Sequence, residues 1–355
     1  MDVINYLETY KDISLKEMAF NEIDALVLAM VSYVPFDEVG IIKPIFKPSY
    51  VLEKLNEFSV PFDYGERKRK YIEVLRLICE GKRFDHLLFS DFKKERDNLS
   101  DKQFQAITIL FNKYIYISYC GTDSTTLGWK EDFNMAYLET VPSEIAGIKY
   151  ANMILGKFWF RKVYLGGHSK GGRLAISAAK GLNNKKRIEA IFSFDAPNFP
   201  TSCYNGDYKK IDSYIIAYAP NESIIGRLMP EYHQKRIVKS TNSLLMQHDA
   251  FSWLVDDKSF VYESDYTEKS TRSVNTINHA LMTYDDELKN QFIDTLFDFF
   301  DRLNVEKLPD EKKMLPFLIT KAPLLFTEWK NTPKENRSVI KKVVIDLLKD
   351  YFLNK

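Results

Sequence analysis

The chain has 355 residues, of which 45% are apolar and 14% aromatic, so it can bury a large core in one big domain with additions or in two domains. Its 50 basic and 49 acidic residues are interleaved and leave a net charge of +1, which argues against a nucleic-acid partner. Three scattered cysteines favour a reducing compartment and exclude a disulfide framework or a zinc site, so we expect no metal and no other cofactor. No signal peptide is visible, and we expect a cytoplasmic protein.

Helices dominate the first 80 residues. Apolar residues recur at helical spacing over residues 21–34, with Asn21 as the N-cap and Pro35 at the end. Residues 49–59 and 66–80 also have helical patterns.

Strands and helices then alternate. Residues 104–111 and 114–119 predict a β-hairpin, and residues 143–157 predict a helix. Further strands are predicted at 162–166, 187–194 and 211–218 and within 234–247, before a helix at 285–303. This order predicts an α/β fold whose mainly parallel sheet is covered on both faces, with functional groups at the carboxyl ends of the strands. We place a main domain at residues 1–303 and a helical C-terminal extension at residues 304–355.

The most informative motif is Gly167-His168-Ser169-Lys170-Gly171. It has the form G-x-S-x-G and lies between a predicted strand and a predicted helix, the context of a nucleophile elbow. In such a turn glycines avoid collisions with the adjacent strand and helix, and the serine hydroxyl is lifted clear of the backbone. The sequence therefore predicts Ser169 as a nucleophile; an idle serine in a glycine-rich turn is the alternative.

A serine nucleophile needs a base, and the base needs a carboxylate that orients it. In α/β-hydrolases these follow the serine in the order acid, then histidine. We predict His248 as the base, with His279 and His233 as alternatives. Because Glu222 follows the second strand after the elbow, we predict it as the acid.

Two other carboxylates compete with Glu222. Asp195 ends the first strand after the elbow and is the alternative acid, and Asp249 is a third candidate. The oxyanion of the reaction needs two N–H donors. We predict that Lys170, directly after the nucleophile, supplies one and that Thr122, after the strand 114–119, supplies the other.

Four stretches carry a family resemblance: residues 121–133, 166–174, 221–226 and 247–253. Together they resemble the class 3 (fungal-type) lipases, and more specifically a bacterial branch of lipase-like α/β-hydrolases. The resemblance covers roughly residues 20–300. It implies an α/β-hydrolase fold and a short cover over the site at residues 124–139.

The resulting expectation is a serine ester hydrolase that cleaves small-molecule or lipid acyl esters through an acyl-enzyme intermediate. The alternatives are a non-catalytic binding protein on the same fold and an acyltransferase. A capping box at Thr332 begins an amphipathic helix, which we expect to pack on the main domain. Peripheral membrane contact of that helix is the second interpretation. The sequence leaves the oligomeric state open.

Overall fold

The computed structural model describes residues 1–41, 43–57, 65–303, 305, 324 and 327–353. Its centre is an eight-stranded sheet whose strands lie side by side in chain order. The strands are β1 (Ile45–Phe46), β2 (Leu88–Asp97), β3 (Lys102–Phe111), β4 (Tyr114–Tyr119), β5 (Lys162–His168), β6 (Ile188–Phe194), β7 (Ile215–Pro220) and β8 (Arg236–Val238). Strands β1 to β4 are antiparallel, whereas β4 to β8 are parallel. A small hairpin, β9 (Val255–Asp256) and β10 (Ser259–Phe260), forms a separate two-stranded sheet, and residues flanking it bridge to the end of β8.

Helices cover both faces of the sheet, which confirms the predicted α/β-hydrolase architecture. They are α1 (Val3–Tyr10), α2 (Glu22–Met30), α3 (Pro48–Glu57), α4 (Glu66–Glu80), α5 (Thr126–Asn134), α6 (Pro142–Lys157), α7 (Lys170–Lys180), α8 (Gly206–Lys209), α9 (Glu268–Thr283), α10 (Asp286–Arg302) and α11 (Lys334–Leu353).

The sheet separates two apolar layers because successive side chains of a strand point to opposite faces. On β4, Tyr116 packs in the layer that contains α1, α2 and α4. Its neighbours Ile115 and Ile117 pack in the layer that contains α6 and α7. Burial on both faces explains why these strands are continuously apolar in the sequence.

Helix α2 forms where the sequence predicts it. The Asn21 side chain accepts hydrogen bonds from the backbone N–H groups of Ile23 and Asp24, which caps the helix. After Met30 the chain tightens into a 3₁₀ turn that ends at Tyr33, before Pro35. Every residue from Ile23 to Met30 is buried, so the helix lies inside the protein.

Other elements differ from their predicted bounds. Strand β7 begins only at Ile215, because residues 212–214 form a 3₁₀ turn. Within the predicted strand region 234–247 only Arg236–Val238 are extended in the sheet. Strand β2 and helix α9 have no counterpart in the sequence analysis, since charged or polar residues hide their periodicity.

The expected domain boundary after residue 303 leads into residues 304–323, which lie outside the described residues apart from Val305. Helix α11 contacts α9 and α10. The division into residues 1–303 and 304–355 stays a prediction. No helix in the described parts of the chain is long and apolar enough to cross a membrane.

Candidate active site

Ser169 lies in the turn between β5 and α7, as the motif predicts. Its backbone has φ 59° and ψ −135°, a conformation that is costly for a residue with a side chain. The surrounding turn leaves no room at its glycines: a Cβ on Gly171 would lie 2.1 Å from the carbonyl oxygen of Tyr119. The turn therefore presents the serine beside the first turn of α7, whose free N–H groups and positive dipole end favour an anion.

His248 and Asp195 form a hydrogen-bonded pair at the candidate site. His248 ends a 3₁₀ turn after β8, and Asp195 directly follows β6. His248 Nδ1 lies 2.6 Å from Asp195 Oδ2. An ionised carboxylate only accepts hydrogen bonds, so Nδ1 carries the proton and donates it to Asp195. The imidazole is thereby oriented, with Nε2 available as a base.

Asp195 is fully buried and fixed by several contacts. Its backbone is left-handed, with φ 47°, and the hydroxyl of Ser223 donates to its other oxygen, Oδ1, at 2.5 Å. Burial by itself raises the pKa of Asp195. The hydrogen bond and charge of His248, with the hydrogen bond from Ser223, lower this pKa by more, so it lies below its ordinary value. This carboxyl group is therefore ionised at neutral pH.

Glu222, the predicted acid, has a different position. It follows β7 as expected, but its carboxylate accepts a 2.7 Å hydrogen bond from the backbone N–H of Leu244. Gln247 also contacts Glu222, through the backbone N–H of Glu222 at 2.8 Å. Glu222 thus holds the start of the 3₁₀ turn that carries His248 and does not pair with the imidazole itself.

His168, which precedes Ser169, contacts His248. Its Nε2 lies 2.8 Å from the carbonyl oxygen of His248, and the two rings are 4.6 Å apart. Burial, followed by the charge of His248, lowers the pKa of His168 to about 3. The ring is therefore neutral at ordinary pH, with Nε2–H donating to that carbonyl group. No pattern in the sequence predicts a part for this histidine beyond its place in the elbow motif.

Tyr33 joins the elbow to the loop after β4. Its hydroxyl accepts a 3.0 Å hydrogen bond from the backbone N–H of Gly121 and donates to the carbonyl oxygen of His168 at 3.1 Å. The ring stacks on Tyr71 at 4.7 Å. A Cβ on Gly121 would lie 2.2 Å from this hydroxyl, so the loop approaches closely only because the residue is glycine. No local pattern distinguishes Tyr33 from the other apolar positions near α2.

Thr122 lies in this loop, as predicted, and its hydroxyl donates to Asp132 on α5. The second oxygen of Asp132, Oδ1, is buried without a hydrogen-bond partner in the described structure, 3.7 Å from Lys170 Nζ. Burial raises the pKa of Asp132 to about 6, against the charge of Lys170 and the Thr122 hydrogen bond. Asp132 lies in the stretch 121–133, and the family resemblance of that stretch is the one sequence feature that points to this residue.

Lys170 holds α5 through a buried ion pair. Its Nζ lies 3.1 Å from Glu131 Oε2 and 2.5 Å from Gln103 Oε1. The other Glu131 oxygen accepts the backbone N–H of Ser143 at 2.8 Å. The side chain of Lys170 thus fixes the segment expected to cover the site, while its backbone N–H begins α7.

The remaining candidates lie elsewhere. His233 Nδ1 is 2.9 Å from Asp212 Oδ1, and burial lowers its pKa. His279 lies in α9, and Asp249 Oδ2 faces Lys70 at 3.9 Å. Among the residues that the structure describes, no group of three or more histidine, cysteine or acidic side chains is arranged to hold a metal ion.

Several solved structures are similar in fold. Lip2 lipase from Yarrowia lipolytica matches with a TM-score of 0.39 and 11% identity over 67% of this chain and 94% of that one. A Rhizomucor miehei lipase propeptide complex matches with a TM-score of 0.37 and 11% identity, over 64% and 78% of the two chains. The lipase from Rhizopus microsporus var. chinensis gives 0.34 and 12%, over 64% and 85%. These similarities are weak.

Two sequence comparisons also give matches. The chain is 28% identical over 189 residues to the iron-sulfur cluster assembly protein SufB of Plasmodium falciparum, a match that covers 50% of this chain and 39% of that protein. The Mbeg1-like family model matches residues 78–298, which include the elbow, Asp195 and His248. Because that match extends over more than half of the sequence, the chain belongs to the Mbeg1-like family.

Proposed function

We propose that this protein is a serine ester hydrolase in which Ser169 is the nucleophile, His248 the base and Asp195 the acid. The observation that carries the proposal is the 2.6 Å contact of His248 Nδ1 with a buried, ionised Asp195, together with the contact of His248 with His168, the residue before the serine of the strained elbow. Such a constellation activates a hydroxyl group that is otherwise a poor nucleophile.

The reaction proceeds in two halves. The Ser169 oxygen attacks the acyl carbonyl carbon while its proton passes to His248 Nε2, and a tetrahedral oxyanion forms. Collapse of this intermediate breaks the bond to the alkoxy oxygen, which leaves as an alcohol with the proton from His248. Water then attacks the acyl-enzyme, gives its proton to His248, and releases the carboxylic acid and free Ser169.

The oxyanion receives hydrogen bonds from the backbone N–H groups of Lys170 and Thr122. Lys170 is the first residue of α7, where N–H groups have no partner within the helix. The bond from the Thr122 hydroxyl to Asp132 and the bond from Gly121 to Tyr33 hold the loop of the second donor. Loss of one such donor typically costs about 2.7–4 kcal/mol of transition-state stabilisation.

Labelling with a fluorophosphonate probe tests the proposal directly. Wild-type protein should be labelled covalently, whereas Ser169→Ala should not be labelled although it folds, as circular dichroism would verify. A panel of acyl esters, from short-chain to lipid esters, then gives the substrate class. Equal labelling of Ser169→Ala, or no labelling of the wild type with or without detergent, would contradict the mechanism.

A further inference from the structure

Two large aromatic side chains stand exposed in the turn between α6 and β5. Trp159 is 76% exposed and Phe160 is 66% exposed. Their ring centroids are 5.8 Å apart at 82°, so they form one apolar projection. Tryptophan is highly buried on average, and adjacent exposed aromatic residues mark a surface that binds something.

Four cationic side chains lie around this projection. Arg161 and Lys162 follow the aromatic pair directly, and Lys162 Nζ donates to the carbonyl oxygen of Lys186 at 3.1 Å. Arg187 donates to the carbonyl oxygen of Arg161 at 2.8 Å and to that of Phe158. These bonds join two separate basic segments, 161–162 and 186–187, into one surface.

The charges of this surface are not neutralised by carboxylates. The hydrogen bonds of Arg161, Lys162 and Arg187 are with carbonyl oxygens, and Arg161 also lies over the ring of Phe160 at 5.5 Å. Within the described ranges none of the four cations forms an ion pair. Among the acidic residues, Glu189 lies nearest in sequence to these four cations, two positions after Arg187, and it is exposed. We call Trp159, Phe160, Arg161, Lys162, Lys186 and Arg187 the basic aromatic patch.

We propose that the basic aromatic patch docks this protein on a bilayer surface that contains anionic phospholipids. Tryptophan and phenylalanine rings are favoured at the boundary between headgroups and acyl chains, and Lys and Arg near an anionic surface add attraction. A second copy of the chain fits less well, because two identical patches would bring their positive charges together.

The position of the patch fixes the orientation of the docked protein. Trp159 and Phe160 precede the amino end of β5, whereas Ser169 follows its carboxyl end. A seven-residue strand spans roughly 20 Å, so the patch and the candidate site lie on opposite edges of the sheet. A protein docked in this way would have Ser169 facing the aqueous side. The docking proposal does not depend on the proposed hydrolase activity.

Sedimentation of the full-length protein with vesicles tests the proposal. The wild type should bind vesicles of phosphatidylcholine mixed with phosphatidylserine and bind vesicles of phosphatidylcholine alone far more weakly. Binding should weaken as salt rises from about 0.1 M to about 1 M, because the screening length falls from about 10 Å to about 3 Å. Tryptophan emission should shift to the blue on binding, and Trp159→Phe should lose that shift.

Matched variants locate the contact. Trp159→Ala with Phe160→Ala should lose at least about tenfold in vesicle affinity through the loss of apolar insertion. Removal of one cation is expected to lower the vesicle affinity about fivefold. Lys186→Glu should lower it further, because it also adds a negative charge. Two control variants should bind like the wild type. Lys258→Glu reverses the charge of an exposed side chain between β9 and β10, and Leu99→Ala truncates an exposed side chain between β2 and β3.

Four results would overturn the proposal. The first is no binding to the anionic vesicles, and the second is equal binding to both vesicle types. The third is equal loss in the control variants, which would indicate general charge attraction. Circular dichroism and the thermal midpoint of each variant verify that the exposed substitutions leave the fold intact. A dimer that dissociates on Trp159→Ala would assign the patch to self-association instead.

Discussion

Asp195 and Glu222 both follow parallel strands, yet the two carboxylates have different environments. Asp195 is buried beneath His248 and receives the Ser223 hydroxyl, whereas Glu222 binds the backbone of Leu244. Strand counting favoured Glu222, because the usual acid position is after β7. What decides the pairing is the left-handed turn at Asp195 and the path of the 3₁₀ turn that carries His248.

Asp195→Asn should reduce kcat for an ester substrate by about four orders of magnitude, as expected when an amide holds the imidazole in the wrong tautomer. Glu222→Gln should change kcat less than about tenfold, since an amide oxygen can still accept the Leu244 N–H group. Steady-state kinetics of the two variants measure the difference. The opposite ranking would assign the acid to Glu222.

His168→Gln should alter the pH dependence of stability. The pKa of His168 is about 3 when folded and about 6.5 when unfolded, so between these values the unfolded chain binds one more proton. Stability from this group is therefore present above about pH 6.5 and is lost as the pH falls toward 3, by about 1.4 kcal/mol per pH unit.

Asp132 affects the pH dependence of stability in the opposite direction. Because its pKa is raised, the folded state binds more protons than the unfolded chain between about pH 3.8 and pH 6. The contribution of Asp132 is the same in the wild type and in His168→Gln, so it cancels when their free energies of unfolding are subtracted. Glutamine keeps an N–H donor for the His248 carbonyl group but does not titrate in this range. Urea unfolding at a series of pH values should show the variant with the shallower loss of stability on acidification. Identical slopes would mean that His168 is not buried in neutral form.

At the scale of elements, α5 illustrates how a polar helix is fixed over the sheet. Glu131 on its inner face is fully buried and joins Lys170 of α7 to the backbone at Gln103 of β3 and at Ser143 of α6. The helix also contacts α10. The Glu131 carboxylate therefore ties the segment predicted as a cover to three other elements, and other residues of α5 tie it to α10.

Glu131→Gln should destabilise the protein by up to about 3–5 kcal/mol, because it leaves the buried Lys170 ammonium with only the Asp132 carboxylate, 3.7 Å away, as its counter-charge. The exposed pair of Asp207 with Lys210 is the matched control, and Asp207→Asn should change stability little. Denaturant midpoints measure both. Equal small effects would show that the Asp132 carboxylate is a sufficient counter-charge for Lys170.

At the scale of the whole molecule, the N-terminal helices belong to the core although the family match begins only at residue 78. Residues 23–30 of α2 are buried against β4, β5 and β6. Tyr33, just beyond this helix, holds the loop of Thr122 against the elbow. The site is therefore incomplete without this part of the chain.

Deletion of residues 1–34 should prevent folding, because it exposes one apolar face of the parallel sheet. Deletion of residues 333–355, which include α11, should leave a folded protein that the fluorophosphonate probe still labels. Far-UV circular dichroism and labelling of the two truncations test the predicted division at residue 304. Loss of folding in the C-terminal truncation would show that α11 belongs to the main domain.

The sequence by itself determined the α/β fold, the elbow at Ser169 and the order of strands and helices around it. These follow from local periodicity, glycine spacing and apolar runs, which are properties of neighbouring residues. Which carboxylate reaches His248, and the roles of Tyr33, His168 and Asp132, were decided only by the tertiary structure. These contacts join residues between 10 and 135 positions apart, so properties of neighbouring residues do not reveal them.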